Sequence, residues 1–188
     1  MRSIWAESLQ QSLEHALEQL GAAISDCPAE LWEAPMWHVA NPGPGHPFLG
    51  PDWAPITDPG QLRILAERWA SRRSTPWSVA WHALETFDYD LSGEFAPWAP
   101  PPPFTGHPHW RDLPSLEEPW SPAQLLDYAA YCRERAQETL GEITDELAAR
   151  PLPSTHRYAG KPHASILTGI LEHTAEHAAQ MRQFVTSS

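Results

Sequence analysis

Two histidines interrupt an apolar stripe near the carboxyl end of this 188-residue chain. The stripe runs at spacings of three and four through Ile166, Ile170, His173, His177, Met181 and Phe184. Residues four apart lie about 5–6 Å apart on one helical face, so His173 and His177 can reach a single metal ion. A hydrogen-bonded core histidine is the alternative interpretation for each of them.

A third histidine, His82, shares a predicted inward face with Val79, Thr86 and Tyr89. Facing helices pack about 8–10 Å apart, so His82 can meet the histidine pair. Three neutral imidazoles suit Zn, Ni, Cu or Fe. Three protein ligands also leave an open coordination position, which is typical of catalytic sites.

Two established metal motifs fit the chain poorly. The string HTAEH from His173 to His177 matches the H-x-x-E-H protease pattern. Such enzymes need a further ligand well downstream, and only 11 residues follow His177. A di-iron carboxylate bundle needs Glu-x-x-His, a pattern the sequence lacks.

The segments that must position these histidines have helical periodicity. They are residues 3–25, 61–73, 76–91, 122–150 and 163–185. Thr75-Pro76 and the capping box from Ser121 to Gln124 predict two helix starts. The predicted inward residues of the first helix are Leu9, Leu13, Leu17, Leu20 and Ile24; those of the short 61–73 helix are Leu62, Leu65 and Trp69; those of 122–150 are Leu125, Ala129, Cys132, Ala136, Leu140, Ile143 and Leu147. No alternating strand pattern occurs, so we predict an all-α four-helix bundle.

Proline clusters predict two long loops, at about 28–60 and 92–120. Both loops contain Trp, Phe and His, so we expect packed loops that form a wall over another part of the molecule. Their histidines are interpreted as surface residues: His38, His46, His107 and His109. His15 is expected to be exposed, and His163 is assigned no role. We predict one domain over residues 1–188.

Composition excludes several classes of function. With 24 Asp and Glu against 12 Lys and Arg, the net charge of −12 disfavours nucleic-acid binding. No apolar run is long enough for a membrane helix, and no secretory start is seen, so we expect a cytoplasmic protein. Cys27 and Cys132 are interpreted as buried, inert thiols.

Three segments resemble the DinB-like superfamily of metal-dependent helical proteins. They are 77–87 (WSVAWHALETF), 121–128 (SPAQLLDY) with 140–147 (LGEITDEL), and 172–180 (EHTAEHAAQ). The resemblance implies an up-down-down-up four-helix bundle with a divalent metal, often nickel or zinc, held by His82, His173 and His177. Some members resemble transferases that use a low-molecular-weight thiol (bacillithiol, mycothiol or glutathione), and a related group isomerises maleylpyruvate.

Several residues near the histidines are candidates for further roles. Glu85, one turn after His82, could orient a ligand or act as the catalytic base; a solvated glutamate or a salt bridge is the alternative. Gln180, Tyr89 and Trp81 are the candidate substrate-binding residues. The tryptophans expected beside the pocket are Trp77, Trp81, Trp98 and Trp110.

The sequence leaves two classes of function open. The first is a metal-dependent enzyme with an open three-histidine site, either a thiol-dependent transferase or a hydrolase, that acts on a small molecule. The second is a non-catalytic metal-binding or stress-response protein, and a helical scaffold without metal is a weaker third. A homodimer is compatible with each of these, and neither nucleic acid nor a membrane is an expected partner.

Overall fold

The computed structural model describes residues 4–40, 42, 48–50 and 52–188, and this part of the chain is all-helical. Its seven α-helices are α1 (Ile4–Ser25), α2 (Pro59–Arg72), α3 (Pro76–Ser92), α4 (His109–Asp112), α5 (Pro122–Glu142), α6 (Asp145–Ala149) and α7 (His163–Ser187). A single 3₁₀ turn spans Ala29–Leu31. Two isolated bridges, and no strand, occur among the described residues. The prediction of an all-α chain is confirmed.

The helix starts follow the sequence signals closely. Ser121 and Gln124 form the predicted capping box of α5, each side chain bonding the other's backbone N–H. Asp58 caps α2 by accepting a hydrogen bond from the Gln61 N–H at 2.7 Å. Thr75 precedes α3 as expected, but its hydroxyl donates to the Arg72 carbonyl at 2.7 Å instead of capping the helix.

The predicted helix over 122–150 is wrong in its continuity, because Ile143 and Thr144 interrupt it. α5 ends at Glu142, and Ile143 takes an extended conformation. Thr144 then caps α6 by accepting a hydrogen bond from the Leu147 N–H. A threonine side chain that bonds nearby backbone competes with helix continuation. Leu147 consequently lies 43% exposed, where the periodicity predicted an inward position.

Four long helices enclose the core. α1 packs on α5 and α7, and α3 packs on the same two helices from the other side. The predicted stripe of α1 is fully confirmed, because all five of its residues are buried. Helix α3 is buried along nearly its whole length, and its side toward α7 carries His82. α2 is more peripheral: of its three predicted inward residues only Leu65 is buried, while Leu62 and Trp69 are half-buried.

The second proline-rich loop is packed against the bundle. Phe104 and Leu113 are buried in it, and Trp32 from the first loop donates its indole N–H to the Trp120 carbonyl at 2.9 Å. The two loops therefore contact each other over the helices, as a wall requires. Cys132 is buried as expected and Cys27 half-buried, and both thiols are free.

No helix in the described ranges combines the length and the apolar character needed to cross a membrane.

Candidate metal centre

The structure brings the three predicted histidines together between α3 and α7. Nε2 of His82 lies 3.2 Å from Nε2 of His173, and Nε2 of His177 lies 3.1 Å from the same atom. One ring nitrogen from each residue lies within 4.8 Å of the others. Because α3 and α7 pack side by side, a single His on one helix meets an i, i+4 pair on the other.

The geometry of this His82–His173–His177 triad fits a metal ion. Imidazole nitrogens bind Zn at about 2.0–2.1 Å, so two ligands on one ion lie about 3.0 Å apart at a right angle and about 3.4 Å apart at a tetrahedral angle. Two of the three nitrogen separations, 3.1 and 3.2 Å, fall in that interval, and the third, between His82 and His177, is within 4.8 Å. His173 Nε2 faces both other rings and carries at most one proton, so hydrogen bonds among the three satisfy the cluster poorly. Three neutral nitrogens pointing at one another could instead hold a cation.

Burial keeps the triad neutral. Desolvation, with the neighbouring imidazoles adding to it, lowers the pKa of His82 to about 2 and that of His173 to about 4. The pKa of His177 is lowered as well, again chiefly by burial. Metal ligands must be deprotonated, and these imidazoles are neutral at neutral pH before any metal arrives.

Gln180 lies behind the triad. Its side-chain oxygen is 2.9 Å from Nδ1 of His177, and its amide N–H donates to Glu176 at 3.1 Å. A proton on Nδ1 leaves the lone pair of Nε2 directed at the triad, which is how outer residues fix the tautomer of ligating histidines. Gln180 thus contacts His177, a candidate metal-coordinating residue. Its role toward a substrate stays a prediction.

A fourth histidine, His109, also lies at the site, and the expectation that it is a surface residue is wrong. It is only 4% exposed; its ring centre lies 5.2 Å from that of His82, and its Nε2 is 3.0 Å from the Ser78 hydroxyl. Burial lowers its pKa to about 3. Pro108 is the N-cap of α4, which packs on α3 and so carries His109 inward. A lone histidine in a proline-rich loop offers no periodicity from which this could have been found.

Of the other loop histidines, His38 and His107 are exposed as expected, and His46 lies outside the described residues.

Glu85 is buried, contrary to the alternative of a solvated glutamate. It is 9% exposed, and its Oε2 accepts a hydrogen bond of 2.7 Å from the His109 backbone N–H. Burial raises its pKa to about 7, against the lowering effect of that hydrogen bond. A carboxyl group with such a pKa can gain or lose a proton at neutral pH. Its role as a base stays a prediction.

The aromatic candidates separate into two groups. Trp81 and Trp77 are buried in the core, where their rings stack at 6.2 Å, and Trp81 also meets the edge of His109 at 4.9 Å. Tyr89 and Trp98 contact each other at 5.2 Å and line a cavity of about 570 Å³ together with Trp110. Trp81 thus lies in the core and lines neither this cavity nor the smaller one beside the triad, whereas Tyr89 lines the larger one. The roles of both residues toward a substrate stay predictions.

A smaller cavity, of about 290 Å³, opens beside the triad. His82 and His173 form part of its wall, with Thr86, Arg157 and Lys161 around them.

Comparisons of the chain with protein-family models, with curated proteins and with solved structures found no match.

Proposed function

We propose that the chain is a DinB-like four-helix bundle that binds one divalent metal ion through His82, His173 and His177 and acts as a metal-dependent enzyme on a small molecule. The pairing of α1, α3, α5 and α7 around one core supports the bundle. The single observation that carries the function is the convergence of three Nε2 atoms next to a cavity.

The cavity favours an enzyme over a protein that only stores or senses metal. A sealed apolar cap or a fourth protein ligand would favour the non-catalytic alternative. Three histidines make up the cluster found among the described residues, and polar side chains border the adjoining space. Zinc and nickel both accept three imidazoles. An ion held there would lower the pKa of a bound thiol or water, and so supply a nucleophile at neutral pH.

The chain's own residues would divide the remaining tasks. Gln180 would hold the His177 tautomer, and Glu85, which lines the neighbouring cavity and has a pKa of about 7, could exchange a proton at neutral pH. Thr86 lines both cavities, and its hydroxyl has no hydrogen-bond partner in the described part of the chain, so it is available to a substrate. We propose a transferase that uses a low-molecular-weight thiol, or a hydrolase, as the reaction class.

The first experiment measures metal content by mass spectrometry on tag-free protein purified without chelators. Wild type, His82→Ala and His173→Ala are compared with His15→Ala, which removes an exposed imidazole from α1. We expect about one equivalent of metal in wild type and in His15→Ala, and loss in both triad variants.

Absence of metal from wild type, even after reloading with Zn and Ni, would sink the proposal. Metal in wild type justifies a screen of thiol-transfer and hydrolytic substrates. Turnover that disappears with the metal supports an enzyme, and a loaded protein inert toward the whole panel supports the non-catalytic alternative.

A further inference from the structure

The larger cavity, of about 570 Å³, lies outside the triad and carries chemistry of its own. Its polar wall contains Glu85, Thr86, Glu94 and Arg157. Its apolar wall is formed by Trp53, Tyr89, Trp98, Ala99, Pro100, Pro108 and Trp110. Thr86 and Arg157 also border the cavity beside the triad, so the two spaces share a wall. We call the larger space the tryptophan cavity.

Glu85 presents an unsatisfied oxygen in this cavity. The side chain is more than nine-tenths buried, and one carboxylate oxygen accepts the His109 N–H. The other oxygen has no hydrogen-bond partner among the residues described. A carboxylate oxygen that lines a largely apolar cavity favours a hydrogen-bond donor or a cation as its partner. A donor or a cation supplied by a ligand would satisfy it.

Aromatic side chains surround that carboxylate. The Trp53 and Trp110 rings lie 5.3 Å apart at the mouth of the cavity, and they remain 55% and 51% exposed. Trp98 is held in place because its indole N–H donates to Asp88 at 3.0 Å. Trp53 has a φ of 65°, a conformation that is strained for a bulky residue and that recurs at ligand sites. Aromatic faces beside a carboxylate attract organic cations.

The charges in the cavity have a negative balance. Glu85 and Glu94 line it, and Glu94 accepts a hydrogen bond from the Tyr89 hydroxyl at 3.3 Å. Arg157 is the cation in the wall, but it already pairs with Asp90 through two of its nitrogens. Arg111, which stacks on Trp53 at 4.8 Å, is likewise paired with Asp112. Above about pH 7, where Glu85 is ionised, two carboxylates therefore face the space without an unpaired cation among the lining residues.

From these contacts we propose that the tryptophan cavity is a binding site for an organic ammonium group, whose N–H donates to the free oxygen of Glu85 while its alkyl part packs on Trp53, Trp98 and Trp110. The volume is sufficient for a ligand of drug-fragment size. The proposal does not depend on the triad holding a metal, because no residue of the triad lines this cavity.

The test uses three probes that share a phenylalkyl skeleton and differ in charge: phenethylammonium, 2-phenylethanol and 3-phenylpropionate. Binding to the full chain is measured by calorimetry and tryptophan fluorescence, in chelator and again after metal loading. We expect the ammonium to bind at least about tenfold more tightly than the alcohol, and the carboxylate to bind most weakly. The preference should be the same with and without metal.

Variants locate the site. Glu85→Gln keeps an acceptor for the His109 N–H and should cost the ammonium at least about tenfold in affinity while leaving the alcohol unchanged. Trp110→Ala should weaken both probes. Glu134→Gln, which removes an exposed charge from α5, is the matched control and should change neither. Circular dichroism and urea unfolding verify that each variant is folded.

Three outcomes overturn the proposal: equal affinity for the ammonium and the alcohol, tightest binding of the carboxylate, or undiminished ammonium binding by Glu85→Gln. The second would show that Arg157 dominates the cavity despite its pairing with Asp90. Because the measurement succeeds or fails without metal, its failure is distinct from a failure of the metal proposal.

Discussion

Two sets of histidines in this protein have opposite surroundings. His109 and His163 each have a local partner: Nε2 of His109 lies 3.0 Å from the Ser78 hydroxyl, and Nε2 of His163 lies 3.2 Å from the Leu91 carbonyl. In the triad, the Nε2 atoms face one another, and Nδ1 of His173 is buried without any hydrogen-bond partner. Burial lowers the pKa in both sets.

The difference is between histidines that have a protein hydrogen-bond partner and histidines whose Nε2 atoms face only one another. A buried polar atom normally finds a hydrogen bond, since leaving it unpaired costs about 1–3 kcal/mol. The protein provides that bond at His109 and His163. Nδ1 of His173 lacks it, as does Nε2 of the buried His156, which lies 3.6 Å from an Asp90 carboxylate oxygen instead. In the triad it is the Nε2 atoms, which face one another, that an ion would satisfy, and the same contrast predicts how each set responds to metal, protons and substitution.

The largest expected effect is metal-dependent stability confined to the triad. Zinc at about 1,000 times its dissociation constant should stabilise the fold by about 4 kcal/mol and raise the Tm by about 10 °C. Scanning calorimetry with and without chelator measures the increment. His82→Ala should abolish it, and His163→Ala should keep it. An increment that survives His82→Ala would place the metal elsewhere.

Next in size is the response of Glu85 to pH. Its folded-state pKa, raised to about 7, exceeds its value of 4.5 in the unfolded chain, so the folded protein binds the extra proton between these values. Wild type therefore loses stability as the pH rises from about 4.5 to about 7. Glu85→Gln lacks this loss, so relative to wild type it should gain about 3 kcal/mol between about pH 4 and about pH 8.

Urea unfolding at the two pH values measures that gain, with Glu134→Gln as the control for removing a charge from an exposed site. A stability difference between Glu85→Gln and wild type that does not vary with pH would show that Glu85 is ionised at little cost in the folded protein. In that case the burial of Glu85 beneath α4 would not raise its pKa.

Gln180 should have a smaller effect, on metal affinity. Losing a partner that orients a metal ligand typically weakens binding about 10- to 100-fold. Gln180→Ala should fall in that interval by competition with a chromogenic chelator, because the Nδ1 proton of His177 loses its acceptor. Gln180→Glu keeps an oxygen acceptor and should restore most of the affinity. Gln183→Ala, on the exposed surface of α7, is the matched control. Unchanged metal affinity in Gln180→Ala would show that Gln180 is a polar residue on the side of α7 with no role in metal binding.

Helical periodicity was sufficient to predict the triad, because its members lie on stripes that would otherwise be apolar. The same periodicity placed the core of α1 correctly. It overran α5, where the competing hydrogen bond of Thr144 begins a new helix before Leu147. Periodicity indicates which face of a helix is inward. It does not indicate the residue at which a side-chain hydrogen bond to the backbone ends that helix.

The loop contributions were beyond the reach of sequence patterns. His109 reaches the site through the packing of α4 on α3, and Glu85 is buried because that packing covers it. Both depend on a contact between residues 24 apart in the chain. The spacing of Glu85 one turn after His82 indicates a role near the triad, but no spacing indicates its burial or that of His109. The aromatic content of the loops indicated a wall, but the pairing of Trp53 with Trp110 joins the two loops in a way that only the folded chain defines.

The smallest effect, and the most direct test of the contrast, is a pair of leucine substitutions with opposite signs in metal-free protein. His173→Leu removes an unpaired buried nitrogen from an apolar stripe and should stabilise the fold by about 1–2 kcal/mol. His163→Leu removes the partner of the Leu91 carbonyl and should destabilise it by a similar amount. Urea unfolding in chelator measures both, and His15→Leu on the exposed face of α1 should stay within about 0.5 kcal/mol of wild type. Destabilisation by His173→Leu would mean that the triad satisfies itself without an ion, and the distinction between the two sets of histidines would then disappear.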